Sequence, residues 1–212
     1  SFNDINNQSV ESKKLKIRLV KTHVWDMATS EVQKAVLQFV DKLDSLGKFD
    51  VEEFNLPEIF SKAHNIHELI YSKSLSYYFE KELKSKSLVS DVFYSLTEKA
   101  KNVSIPEFHN ALDYQAKIRR ILNNEFEKFD LILSLSTADF APLRDIQEKD
   151  DPSLIWTMCG NPAINVPIVD YTKSLPLGIQ IVAKRFDDKL LLNFVKFLYN
   201  SKLINESKVF TP

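Results

Sequence analysis

With 212 residues and Lys+Arg 28 against Asp+Glu 29, the chain can bury one sizeable core and lacks the basic excess of a dedicated nucleic-acid binder. Its one cysteine, Cys159, excludes a disulfide framework and a cysteine-built zinc site. Its 3 glycines, where an average chain of this length holds about 15, exclude the G-x-G-x-x-G, P-loop and G-x-S-x-G turns within this chain.

Residues 1–13 form a polar N-terminal segment without the apolar stretch of a signal peptide. No apolar run approaches the ~18 residues that would span a bilayer, so the expectation is a cytoplasmic chain with no transmembrane segment. Residues 14–20 alternate, with Leu15, Ile17 and Leu19 pointing one way, which predicts a strand. A helix follows. Ser30 and Gln33 fit a capping box, and Val32, Ala35, Val36, Phe39, Val40, Leu43 and Leu46 recur on one face until Gly47 stops it. Residues 49–54 alternate again and end at Leu56-Pro57, so strand, helix and strand predict an α/β unit with a parallel crossover.

From Pro57 to Phe129 prolines are scarce and the pattern is helical: 58–84 with Glu80, Lys81, Glu82 and Lys84 exposed, then 88–100, then a third helix. Ser104, Pro106 and Glu107 open that third helix, and Phe108, Ala111, Leu112, Gln115, Ile118, Ile121 or Leu122, and Phe126 mark its buried stripe. Residues 130–136 read as a short apolar strand. Five of the eight prolines fall between Pro142 and Pro176, which predicts loops and short strands there, with strands over 163–169 and 176–183. Residues 187–201 close the chain as an amphipathic helix with Asp187 and Asp188 at its positive end.

Most constellations of reactive residue types read as ordinary surface. His64, His67 and Glu68 share a helix, yet their spacing matches neither H-E-x-x-H nor H-x-x-E-H, so they predict a polar face and no metal site. Ser45 and Lys48 fit S-x-x-K, but Gly47 breaks the helix that would bring them together. Lys117, Arg119 and Arg120, with Glu125 and Glu127, read as a solvated, salt-bridged face. Cys159 has no base beside it in sequence and reads as an apolar filler.

The stretch from 153 onward is more specific. It runs S-L-I-W-T-M-C-G-N-P-A-I-N-V-P-I, then L-P-L-G-I-Q-I-V-A, then K-R-F-D-D-K-L-L. Residues 119–142 read R-R-I-L-N-N-E-F-E-K-F-D-L-I-L-S-L-S-T-A-D-F-A-P. Together these closely resemble the C-terminal part of the amidase signature family, which includes amidases, fatty acid amide hydrolases and the A subunit of tRNA-dependent amidotransferases. The resemblance covers residues 14–212 in order and implies the C-terminal portion of that α/β fold, a mixed sheet flanked by helices.

That family hydrolyses amides with a Ser–cis-Ser–Lys triad carried on its N-terminal half, so the resemblance assigns this chain no catalytic residue, no cofactor and no metal. It implies a scaffold that walls the pocket of a small-molecule amide, partnered by the missing N-terminal half or by a second copy. By matching position, Ser136, Thr137, Trp156, Thr157 and Cys159 are the substrate-binding candidates; Gly160 and Pro162 shape a turn, and Gln180 satisfies polar groups at the sheet edge. The family often has Pro where Leu135 and Ala138 stand, and Gly near Asp139, Asp170, Ser174 and Ala183. The alternatives are a non-catalytic amidase-like fragment with a binding or scaffold role, or an unrelated α/β interaction domain. A truncated sheet should also expose an apolar edge and face.

Overall fold

The computed structural model describes residues 14–143, 146, 151–168 and 175–204. Its elements in chain order are β1 (Leu15–Val20), α1 (Ser30–Asp44), β2 (Phe49–Phe54), α2 (Ala63–Tyr78), α3 (Glu80–Leu83), α4 (Asp91–Lys99) and α5 (Ile105–Glu125). Then come β3 (Leu131–Leu135), α6 (Leu154–Cys159), β4 (Ala163–Pro167), β5 (Gly178–Ala183) and α7 (Asp188–Asn200). They fall into two compact units, Ser1–Pro57 with Leu122–Pro212, and Glu58–Ile121.

The first unit holds one mixed sheet in the order β2-β1-β3-β5-β4. β1 pairs in parallel with both β2 and β3, as the predicted crossover through α1 requires. β5 then runs antiparallel to β3 and β4. Alternate residues decide the faces. Leu15, Ile17 and Leu19, then Leu131, Leu133 and Leu135, then Ile179, Ile181 and Ala183 join a buried cluster with Val32, Val36, Phe39 and Leu43 of α1 and Leu191, Phe194 and Leu198 of α7. Each such large side chain contributes about 1.5–3 kcal/mol when fully buried. Phe49 sits edge-on to Phe194 and Phe197, at 5.5 and 5.2 Å between ring centres. Asp130 sets the register of β3: its carboxylate accepts the Lys16 N–H and its own N–H reaches the Lys16 carbonyl, both at 2.8 Å.

Several local expectations change. Ser30 and Gln33 form no capping box. Thr29 is the N-cap, but its hydroxyl makes no capping bond and donates to the Asp139 carboxylate at 3.5 Å, and the Gln33 amide donates to the Trp25 carbonyl at 2.7 Å. α1 ends at Asp44, so Leu46 lies past the helix and is exposed, while Gly47 takes the left-handed φ of 65° in the turn that follows. Leu112 is exposed as well; the stripe on α5 runs through Ala111, Ile118, Leu122 and Phe126. The proline-rich stretch is not confined to loops and strands, because α6 fits between Pro152 and Pro162.

The second unit is helical, as the scarcity of proline predicts. Lys73 on α2 donates to the carbonyls of Ala100 and Val103 at 3.2 and 2.8 Å, holding the turn that leads into α5. Ser104 and Glu107 do form the capping box: the Ser104 N–H and hydroxyl reach the Glu107 carboxylate at 2.8 and 2.6 Å, and the Glu107 N–H returns to the Ser104 hydroxyl. These bonds, the Ser104 hydroxyl first, hold the Glu107 carboxyl below its usual range. Glu68 pairs with Lys99, and His67 stacks on Tyr71 at 5.6 Å.

Candidate functional site

Ser136 and Thr137 follow β3, and Trp156, Thr157 and Cys159 lie on α6. α6 begins where Asp151 accepts the N–H and hydroxyl of Ser153, at 2.7 and 2.5 Å. It ends at Gly160, whose φ of 71° is one that L side chains rarely adopt. The Asn161 N–H there returns to the Trp156 carbonyl at 3.0 Å, a helix-ending turn that aims Asn161 and Pro162 into β4. The family position at Gly160 thus has a backbone reason in this chain.

Ser134 alternates with the core-facing Leu133 and Leu135, so its side chain lies on the sheet face opposite α1 and α7. The Trp156 indole N–H donates to the Ser134 hydroxyl at 3.1 Å, with both residues fully buried. That bond places α6 on the second face and ties it to β3 two residues before Ser136. Trp156 and Cys159 have no exposed surface, Ser136 is half-buried, and Thr137 and Thr157 are exposed. The Ser136 hydroxyl donates to the Gly178 carbonyl at 2.8 Å, joining the end of β3 to the start of β5.

The loop after β3 depends on side-chain bonds. The Thr137 hydroxyl donates to the Asp139 carbonyl at 2.8 Å, and the Asp139 carboxylate accepts the Phe140 N–H at 2.8 Å. The Thr29 N–H meets the Ala138 carbonyl at 3.1 Å, which anchors the loop at the start of α1. These bonds define the turn at positions where the family often has proline or glycine. Asp170 and Ser174, two further departures, lie outside the described residues.

Gln180 does not satisfy polar groups of the edge. It stands on β5, one strand in, and its Oε1 is buried without a hydrogen-bond partner. Its register partners are Ser134 on β3 and Asn165 on β4, so three polar residues form one rung on the second face. Asn165 leans over Gly178: a Cβ there would come within 2.1 Å of the Asn165 Oδ1. Sequence reading missed this rung, although the strict alternation of Ser134 and Gln180 with aliphatic neighbours carries the signal.

The remaining constellations stay apart. Ser45 donates to the Lys42 carbonyl at 2.7 Å while Lys48 lies over the Phe197 ring. Glu125 pairs with Lys128 and Glu127 with Lys184. Among the described residues no group of three or more His, Cys, Asp or Glu could hold a metal ion. No helix among them is long and apolar enough to cross a membrane.

Comparison with known proteins places this geometry. The family model described as Amidase matches residues 2–192. The A subunit of the glutamyl-tRNA(Gln) amidotransferase of Pediococcus pentosaceus is 28% identical over 217 residues, covering 84% of this chain and 43% of that protein. Its counterpart in Bdellovibrio bacteriovorus is 26% identical over 237 residues, covering 93% and 48%. A crystal structure of an amidase superposes with a TM-score of 0.77 at 17% identity, covering 92% of this chain and 47% of that one. A fatty acid amide hydrolase superposes at 0.73 with 16% identity, covering 91% and 40%. The chain spans about half the length of the curated relatives it matches.

Proposed function

The chain belongs to the amidase family, and from that premise we propose that it is the scaffold and pocket-wall portion of a hydrolase that cleaves carboxylic amides to an acid plus an amine or ammonia. In this reading a Ser–cis-Ser–Lys triad sits on polypeptide outside this chain, and that part supplies the nucleophile and the oxyanion donors. The observation that carries the reading is the family match over residues 2–192 in a chain that covers only 43% of a curated relative.

Within the reading, Ser136, Thr137 and Thr157 are the residues able to touch a small amide, since they reach the surface. Trp156 and Cys159 act from behind: they fix α6 on the sheet and so hold Thr157 in place. The amidotransferase relatives make the side-chain amide of glutamine one candidate substrate. The test uses the full-length native polypeptide, probed with a serine-directed fluorophosphonate and assayed for ammonia release from glutamine and from simple amides. Covalent labelling with acid and ammonia in equal amounts is the expected result. Absence of both labelling and turnover overturns the reading.

A second reading, a non-catalytic amidase-like protein with a binding role, is favoured by one observation. The hydroxyls of Ser134 and Ser136 are committed to hydrogen bonds that hold the fold, and Cys159 is fully buried. Absence of labelling together with retained binding of an unhydrolysable amide analogue would select it.

A further inference from the structure

Ser136 and Thr137 each own one hydroxyl proton, and their surroundings fix where it goes. The Ser136 hydroxyl lies 2.8 Å from the Gly178 carbonyl, and the Thr137 hydroxyl lies 2.8 Å from the Asp139 carbonyl. A carbonyl has no proton to give, so the hydroxyl is the donor in both contacts. The Asp139 N–H then donates to the Thr137 oxygen at 3.3 Å. A hydroxyl has a single proton and two lone pairs. These bonds leave Ser136 two lone pairs and Thr137 one, and neither has a proton to offer.

Both commitments are built into the fold. Ser136 joins the ends of two paired strands. Thr137 closes a turn that the Asp139 carboxylate, accepting the Phe140 N–H at 2.8 Å, holds from its other side. Thr137 is exposed and Ser136 half-buried, so a ligand that reaches these side chains meets oxygen acceptors. An amide offers a carbonyl oxygen, which accepts, and an N–H, which donates. Acceptors repel the first and bind the second. They also discriminate against an ester, which carries oxygen in place of the N–H and leaves the covered acceptor unpaired.

We propose that Ser136 and Thr137 form the leaving-group side of the pocket. Their hydroxyl oxygens accept the N–H of the scissile amide and so select primary and N-monoalkyl amides over N,N-dialkyl amides and esters. That a substrate amide binds here rests on the amidase reading; the polarity of the two hydroxyls rests on their hydrogen bonds.

The N-methyl amide and the methyl ester of one acid differ at a single group, N–H against O, and the full-length native polypeptide is assayed with both. Thr137→Val should lower kcat/KM for the amide roughly tenfold more than for the ester. Thr137→Ser, which keeps the hydroxyl, should leave the amide-to-ester ratio within about twofold of the parent. Ser136→Ala should act in the same direction as Thr137→Val and replaces it where that variant does not fold. Equal losses on amide and ester, or no loss on either, overturn the proposal. Where neither compound is turned over, titration calorimetry compares their binding instead. Fluorophosphonate labelling separates the two ideas. Labelling with amide and ester equally affected sinks this proposal alone. Tighter binding of the amide, lost in Thr137→Val, without labelling or turnover sinks only the amidase reading.

Discussion

β2 and β4 close the two borders of one sheet with opposite chemistry. β2 places Asp50, Glu52 and Glu53 on the border, and Arg18 and Lys21 of the first unit partner Glu52 and Glu53 at 3.0 and 2.6 Å. A strand approaching that edge would have to strip water from carboxylates. On β4 the Ala183 N–H meets the Pro162 carbonyl and the Ile168 N–H the Leu177 carbonyl, so 162, 164, 166 and 168 bond toward β5 while the N–H groups of Ala163 and Asn165 turn outward, beside uncharged side chains. The difference teaches that charge at a sheet border is set strand by strand: β2 carries three carboxylates within six residues, and β4 carries none.

The hardest way to break this comparison is to remove the support from which β4 emerges. Trp156→Ala empties a fully buried site and strands the Ser134 hydroxyl, and it should cost about 3–5 kcal/mol in denaturant unfolding. Amide exchange should loosen β4 more than β2. A proline pair comes next. Ile164→Pro deletes an N–H that faces β5 and should cost about 1–3 kcal/mol, whereas Ala163→Pro deletes an outward one and should stay within about 0.5 kcal/mol of the parent. Equal losses from the two would refute the assigned parity.

Gly178→Ala sharpens the picture at one rung. The new Cβ displaces the Asn165 amide, an exposed group able to swing away, so the expected loss is about 1 kcal/mol. Asn165→Ala should erase most of that loss in a double-mutant cycle. On the other border, replacing Glu52 and Glu53 by glutamine should shift stability by at most about 1 kcal/mol per ion pair. Sedimentation should nonetheless show more self-association, because two of the three carboxylates on that border are gone.

The smallest effect lies in the helical unit. The Glu107 carboxyl is held below its ordinary value in the folded chain, so its contribution is complete above the unfolded pKa and is lost as pH falls through the lower folded one. Amide protection in the first turn of α5 should fade over that range. Ser104→Ala should shrink the pH dependence, leaving the part that the Ser104 N–H supports.

Much of this architecture is legible in the residues. The alternating runs at 14–20 and 49–54 and the short apolar run at 130–136 became strands, and the stretch poor in proline from 57 to 129 became α2 to α5. The capping box at Ser104 was legible because Glu107 stands three residues on, where its carboxylate reaches back. The same spacing at Ser30 misled, since Gln33 found the Trp25 carbonyl, a partner that only the preceding turn supplies. α6 was hidden because six residues between two prolines are too few for a helical period to show. For the candidate site, the resemblance named five residues, but which of them reach the surface was not legible.

Sequence alone determined most of the strands and longer helices and the family, because apolar periodicity and turn residues act locally. Tertiary structure decided what each polar group does. Only the pairing of β3, β5 and β4 puts Ser134, Gln180 and Asn165 on one rung, lays Trp156 against Ser134 and turns Ala163 outward. Hydrogen-bond partners separated by 22 or 42 residues are chosen by register, and register is a property of the assembled sheet.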